Sequence, residues 1–169
     1  MRDLPARARV LIGGFGFGFT LRRVLELVPP GAAVEVAELL PEILAWNREF
    51  LLTVNGGLLD DPRVKVELRD VFDYLDATGT GRYHVVLLDV DNSPDPMVQR
   101  ENARLYSVSG LRRIHGAMHP GGRVVFWSGY RDDGFTRALR SVFAHVECIG
   151  AKPYPKARNF THTLFVAQK

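Results

Sequence analysis

The sequence predicts a single α/β domain over residues 1–169, built on a mostly parallel seven-stranded sheet with helices on both faces and an antiparallel C-terminal hairpin. Three observations carry this. Short β-branched runs alternate with segments of helical spacing along most of the chain, which calls for parallel strands joined by right-handed crossovers. The run YHVVLLDV (83–90) is apolar nearly throughout, as suits a strand buried on both faces. The last two runs, HVECIGA and HTLFVAQ, are joined only by KPYPKARNF, too short for a helical crossover, so they pair antiparallel.

The elements follow in order. Arg9 to Gly13 is a strand that ends in a glycine turn, and Thr20 to Val28 is a helix that PPG stops. AAVEVAEL is the second strand, and Pro41 opens the helix PEILAWNREFLL, as a residue without an N–H can at a first turn. RVKVEL alternates as a third strand, DVFDYL is a short helix, and YHVVLLDV is the fourth strand. One helix is predicted from Arg104 to Met118, HPGG as a turn, and RVVFWS as the fifth strand. A helix from Asp133 to Phe143 precedes the closing hairpin.

Composition narrows the function. At 46% hydrophobic and 24% charged, the chain has the make-up of a compact domain with a sizeable core. No apolar run approaches the roughly 18 residues that cross a bilayer, and MRDLPARARV lacks a signal-like apolar stretch, so a cytoplasmic protein without membrane partners is expected. The single Cys148 excludes an internal disulfide framework, and His115 and His119 have no third ligand in view, so no metal is expected. A net charge of +3 spread over several helices gives no nucleic-acid stripe.

Candidate chemistry gathers at the carboxyl ends of the strands, where open parallel sheets bind ligands. The turn GGFGFGF offers bare backbone at Gly13, Gly14, Gly16 and Gly18, with Phe15 inside it, before a helix N-terminus. A dinucleotide turn needs a third glycine where Phe19 stands, so a pyrophosphate is disfavoured. The spacing better fits the turn under the amino-acid portion of S-adenosylmethionine. Glu38 ends the second strand, where a carboxylate can accept from both hydroxyls of a ribose, and Leu39 follows it. Asp70 can accept from an adenine amino group with Val71 beside the ring, or serve as the N-cap of VFDYL.

Five βα units closed by a hairpin is the plan of the Rossmann-like class I S-adenosylmethionine methyltransferase fold. Within it, GGFGFGFTLRRVLE, VAELLPEILAWNREF, LLDVDNSPD, ENARLYSVSGL and HPGGRVVFWS resemble, in that order, the short bacterial spermidine synthase-like proteins. The resemblance implies a nucleoside-sulfonium transferase fold. It also shows departures. Spermidine synthases carry an aspartate in a G-G-G-D-G-G turn at the cofactor's amine, and this turn has no acid. They carry D-S-[ST]-D-P after the fourth strand; Asp89 matches its first aspartate, and Asn92 stands in place of the second. The first core strand is expected to begin near residue 8, so the N-terminal β-hairpin region that covers their polyamine channel is expected to be missing.

Asp89 is the expected base toward an acceptor, with Asp91 next and able to supply charge toward an amine. Asn92, Tyr106 and Trp127 are the expected acceptor-side residues, and Phe15, Phe17, Tyr106 and Trp127 the aromatic candidates for holding a sulfonium cation. Because the turn lacks the acid that favours a decarboxylated cofactor, the expected reaction is methyl transfer from S-adenosylmethionine to a small molecule. The alternatives are aminopropyl transfer from decarboxylated S-adenosylmethionine to a polyamine, and a non-catalytic nucleoside-binding partner subunit. Apolar surface exposed where the hairpin region is expected to be missing would favour a dimer, with a homodimer expected, or another partner.

Overall fold

A computed structural model describes residues 3–90, 103–152, 156 and 158–169. Its strands are β1 (Arg9–Gly13), β2 (Ala33–Glu38), β3 (Val64–Leu68), β4 (Tyr83–Leu88), β5 (Met118–Ser128), β6 (His145–Ala151) and β7 (His162–Gln168). They form one sheet in the order β3-β2-β1-β4-β5-β7-β6. Strands β1 to β5 pair in parallel, and β7 pairs antiparallel with both β5 and β6. The expected fold class is the one observed. The order reverses at β1, whose neighbours are β2 and β4, so the loops leaving these strands diverge and open a crevice at the carboxyl edge.

The helices are α1 (Phe19–Leu27), α2 (Pro41–Glu49), α3 (Leu52–Asn55), α4 (Val71–Ala77), α5 (Ala103–Tyr106), α6 (Val108–Ala117) and α7 (Asp133–Arg140), with a 3-10 turn at Leu58–Asp60. Pro41 occupies the first turn of α2 as expected. Helix α1 ends because Val28, which precedes a proline, is held extended at φ −85°, ψ 152°.

Two expected elements differ. The helix predicted from Arg104 to Met118 is broken at Ser107, whose hydroxyl accepts the Gly110 N–H at 3.0 Å and so starts α6 afresh. The break is tight: a Cβ on Gly110 would collide with the Arg104 carbonyl oxygen, so only glycine fits. Strand β5 begins at Met118 and takes in HPGG, because Met118 already pairs with Tyr83 ahead of a register shift.

Side-chain alternation divides the core. On one face Leu11, Val86, Val124, Phe126 and Phe165 pack with Leu111 and Ile114 of α6 and Leu139 of α7. On the other, Val10, Ile12, Val34 and Val36 pack with Leu21, Val24 and Leu25 of α1 and Leu44 of α2. Fully burying such a side chain stabilises a fold by roughly 1.5 to 3 kcal/mol, so each helix is fixed by its apolar stripe. The second cluster takes no residue from β5, β6 or β7, where Val125, Trp127, Leu164 and Val166 keep part of their surface open.

Toward the amino edge of the sheet, Glu35 of β2 is 3% exposed and fully engaged. It accepts hydrogen bonds from the Tyr83 hydroxyl at 2.6 Å, the Tyr74 hydroxyl at 2.9 Å and Arg82 at 2.6 Å, with Arg9 at 3.4 Å. The network ties β2 to β4, α4 and β1. Burial raises the Glu35 pKa, but the hydrogen bonds from Tyr83, Arg82 and Tyr74 outweigh it and leave it below the ordinary 4.5. Burial, with Glu35 beside it, pushes the Tyr74 phenol up to about 12.

Candidate active site

The glycine turn is shaped by close backbone approach. Gly14 has φ +86°, and a Cβ there would sit 2.7 Å from the Asp89 carbonyl oxygen, so neither the conformation nor the space admits a side chain. Its N–H donates to Ala37 O at 2.9 Å. The Gly18 N–H donates to Phe15 O at 2.9 Å and closes the turn before α1. A Cβ on Gly13, one residue earlier, would crowd the side chains of Leu88, Val71 and Val90.

Two buried asparagines hold the turn from α2 and α3. The Asn47 side-chain amide donates to Gly16 O and to Ile43 O, both at 2.8 Å, and its Oδ1 accepts from Asn55 at 2.7 Å. Sequence reasoning missed this pair. The available signal was an amide at position 47, three residues after Leu44 on the buried side of an amphipathic helix. A polar group there must find partners, and the glycine turn supplies them.

Glu38, 7% exposed, joins two loops. Its Oε2 accepts the Phe15 N–H at 2.8 Å, and its Oε1 accepts the Leu40 N–H at 2.9 Å. Each carboxylate oxygen has two lone pairs, so one acceptor position per oxygen remains for a ligand. Glu38 lines a cavity of about 270 Å³ with Leu39, Leu40, Ile43, Asp70 and Val71, and with Gly14, Gly16, Asp89 and Val90. Within this cavity the structure brings together most of the residues singled out for a nucleoside. Asp70 fills its capping role as well: Oδ1 accepts from Phe72 N at 2.8 Å and Asp73 N at 3.3 Å, and pairs with Arg104 at 2.8 Å.

A second, larger cavity of about 550 Å³ lies on the other side of the turn, lined by Phe15, Phe17, Phe19 and Thr20 together with Gly14, Gly16, Asp89 and Val90. Asp89 therefore stands at the junction of both spaces. Crowding by neighbouring atoms raises its pKa above the ordinary carboxylate value, and the Thr20 hydroxyl, which donates to Oδ2 at 3.4 Å, pulls the other way. A carboxylate whose pKa is raised in this way is a stronger proton acceptor once ionised.

Other expected site residues lie apart from these cavities. Tyr106 is buried, its ring packed on Phe126 and Phe135, and it lines a separate depression between α5 and α7. Trp127 stacks on His162 at 5.0 Å. Asp91 and Asn92 lie outside the described residues. His119 stacks on His84 at 4.6 Å, and His115 meets Phe143 edge-on. Among the described residues, no three His, Cys, Asp or Glu side chains cluster as a metal would need, and no helix is long and apolar enough to cross a membrane.

A family model for the spermine/spermidine synthase domain matches residues 1–130. A polyamine aminopropyltransferase of Corynebacterium efficiens is 33% identical over 153 residues, spanning 88% of this chain and 28% of its own length. One from Synechococcus sp. is 32% identical over 146 residues, 82% of this chain and 45% of that protein. The chain thus spans less than half the length of these relatives. The spermidine synthase from Thermotoga maritima superposes with a TM-score of 0.73 at 21% identity, covering 97% of this chain and 54% of the other. Human methyltransferase-like protein 13 in complex with SAH gives the same TM-score at 21% identity, covering 96% and 72%. At such identity these structures show the fold. The relatives' names overturn the expectation of methyl transfer, which rested on the missing acid of the turn, and favour the aminopropyl alternative. By the match over residues 1–130, the chain belongs to the spermine/spermidine synthase family.

Proposed function

We propose that this chain is a transferase that moves an aminopropyl group from decarboxylated S-adenosylmethionine to an amine. The observation that carries the reading is the position of Asp89, shared by the cavity of Glu38 and Asp70 and by the open cavity beside the turn. A donor whose ribose meets Glu38 has its sulfonium arm leading past Gly14 and Gly16 toward Asp89. The names of the curated relatives support the same reaction.

In this reading the acceptor nitrogen attacks the propyl carbon next to sulfur. The C–S bond breaks, its electron pair stays on sulfur, and a neutral thioether, methylthioadenosine, leaves. The proton lost by the acceptor goes to Asp89. Most of the acceleration comes from holding nucleophile and carbon in line, and general-base help adds about 10²- to 10⁴-fold.

The test is the rate of methylthioadenosine release from decarboxylated S-adenosylmethionine with putrescine or spermidine as acceptor. Asp89→Asn is expected to lower kcat at least 100-fold, a loss that saturating donor does not restore. Because only ionised Asp89 accepts a proton, the wild-type rate rises with pH through its raised pKa, and that limb disappears in the variant. Release at the wild-type rate in Asp89→Asn removes the base assignment, and the absence of release with every amine removes the reaction.

A further inference from the structure

The open cavity holds a feature that the reaction as stated does not use. Of the aromatic residues expected to meet a cation, Phe15 is 4% exposed, Tyr106 is packed on Phe126 and Phe135, and Trp127 is stacked on His162. Phe17 remains, and the structure adds Phe19. They are 62% and 59% exposed, with ring centroids 6.4 Å apart and planes inclined at 56°. Both rings line the 550 Å³ cavity, and Asp89 is the only charged residue among its described lining. Two phenylalanines left this open forgo burial that would otherwise stabilise the fold, and a ligand lying in the cavity would cover them.

The chemistry of the wall specifies what it takes. Aromatic faces attract cations, and a carboxylate at the base of the cavity reinforces that preference. No described lining residue is positively charged, so a carboxylate on the ligand would find no cationic partner among the described residues and would face Asp89. The turn also lacks an acid that could hold an ammonium group directly.

We propose that Phe17 and Phe19 are the donor-selecting residues of this chain, holding the cationic, carboxylate-free arm of the donor over Asp89 in place of an acid in the turn. This rests on the nucleoside site proposed above. It assigns to exposed rings the discrimination between decarboxylated S-adenosylmethionine and S-adenosylmethionine.

Calorimetry on the full chain with three ligands tests it: decarboxylated S-adenosylmethionine, S-adenosylmethionine, and methylthioadenosine, which shares the nucleoside but carries neither ammonium nor sulfonium. Phe17→Leu and Phe19→Leu keep apolar bulk and remove the aromatic face. Each is expected to weaken the decarboxylated donor about 2- to 30-fold and methylthioadenosine less than twofold, with Phe17→Tyr and Phe19→Tyr restoring affinity. Wild type is expected to prefer the decarboxylated donor to S-adenosylmethionine, and the leucine variants to narrow that preference. Equal losses for the donor and methylthioadenosine would overturn the assignment, because the rings would then only cover the nucleoside. Unchanged affinity for all ligands in variants that melt like wild type would also overturn it while leaving the nucleoside site standing. Wild type that binds none of the three removes both the site and the rings' role.

Discussion

Glu35 and Glu38 lie on the same strand, three residues apart, so alternation turns them to opposite faces of the sheet. Both are buried, at 3% and 7% exposure, and both are hydrogen-bonded at each oxygen. Their partners differ in kind. Glu35 is enclosed by two phenols and two guanidinium groups, and it lines neither cavity of the candidate site. Glu38 takes one backbone N–H on each oxygen and keeps its remaining acceptor positions toward a cavity. A buried acid enclosed by side chains fastens elements together, whereas one steadied by backbone and open on one side is prepared for a ligand.

That contrast can be broken experimentally. The largest effect is expected for Glu35→Ala, which strands Tyr74, Tyr83 and Arg82. Urea unfolding should show a loss of about 3 kcal/mol, the low end for a broken buried pair because Arg82 and Arg9 keep access to water. Nucleoside affinity per folded molecule should hardly change. Glu38→Ala should do the reverse in emphasis: a 10- to 100-fold loss of affinity for methylthioadenosine, about 1.5 to 3 kcal/mol, read by calorimetry. If Glu35→Ala costs affinity and Glu38→Ala does not, the two roles have been exchanged.

Asn47→Ala lies between these. It leaves Gly16 O and Asn55 without their partner, so stability should fall by about 1 to 2 kcal/mol, and affinity should fall with it as the turn loosens. Acid sharpens the Glu35 side. Its folded pKa is below the ordinary 4.5, so its contribution is complete above that value and is lost as pH falls through the folded pKa. A series of urea midpoints from pH 6 to pH 2 should show this loss in wild type and a shallower one in Glu35→Ala. The smallest effect is Asp70→Ala, where loss of the cap on α4 should cost about 1 kcal/mol.

Much of this architecture is legible in the amino-acid sequence. The predicted ranges of β1, β6 and β7 match the observed ones, since a turn or bend precedes each run. The helix break at Ser107 is harder to see, because the spacing of Leu105, Leu111 and Ile114 hides a serine cap inside a helical pattern. At the site, Glu38, Asp70, Val71 and Asp89 stand out because they end strands or begin helices, where ligands meet open sheets. Asn47 does not, since it reads as an ordinary position of a helix, and Phe19 reads only as the place where a third glycine is missing. Glu35 is hidden for a related reason: its four donors come from residues 9, 74, 82 and 83, which only the folded chain brings together.

The Glu38 carboxylate bridges the loop after β1 and the loop after β2 through one amide of each. Neither loop can lift away without orphaning an oxygen of a residue that also lines the cavity. Occupancy of that cavity is therefore a coincidence detector: a ligand that engages Glu38 reports that both loops are seated at once, and in turn latches them. Exchange of the Phe15 and Leu40 amide protons would slow in concert, two distant positions in sequence sharing one protection factor.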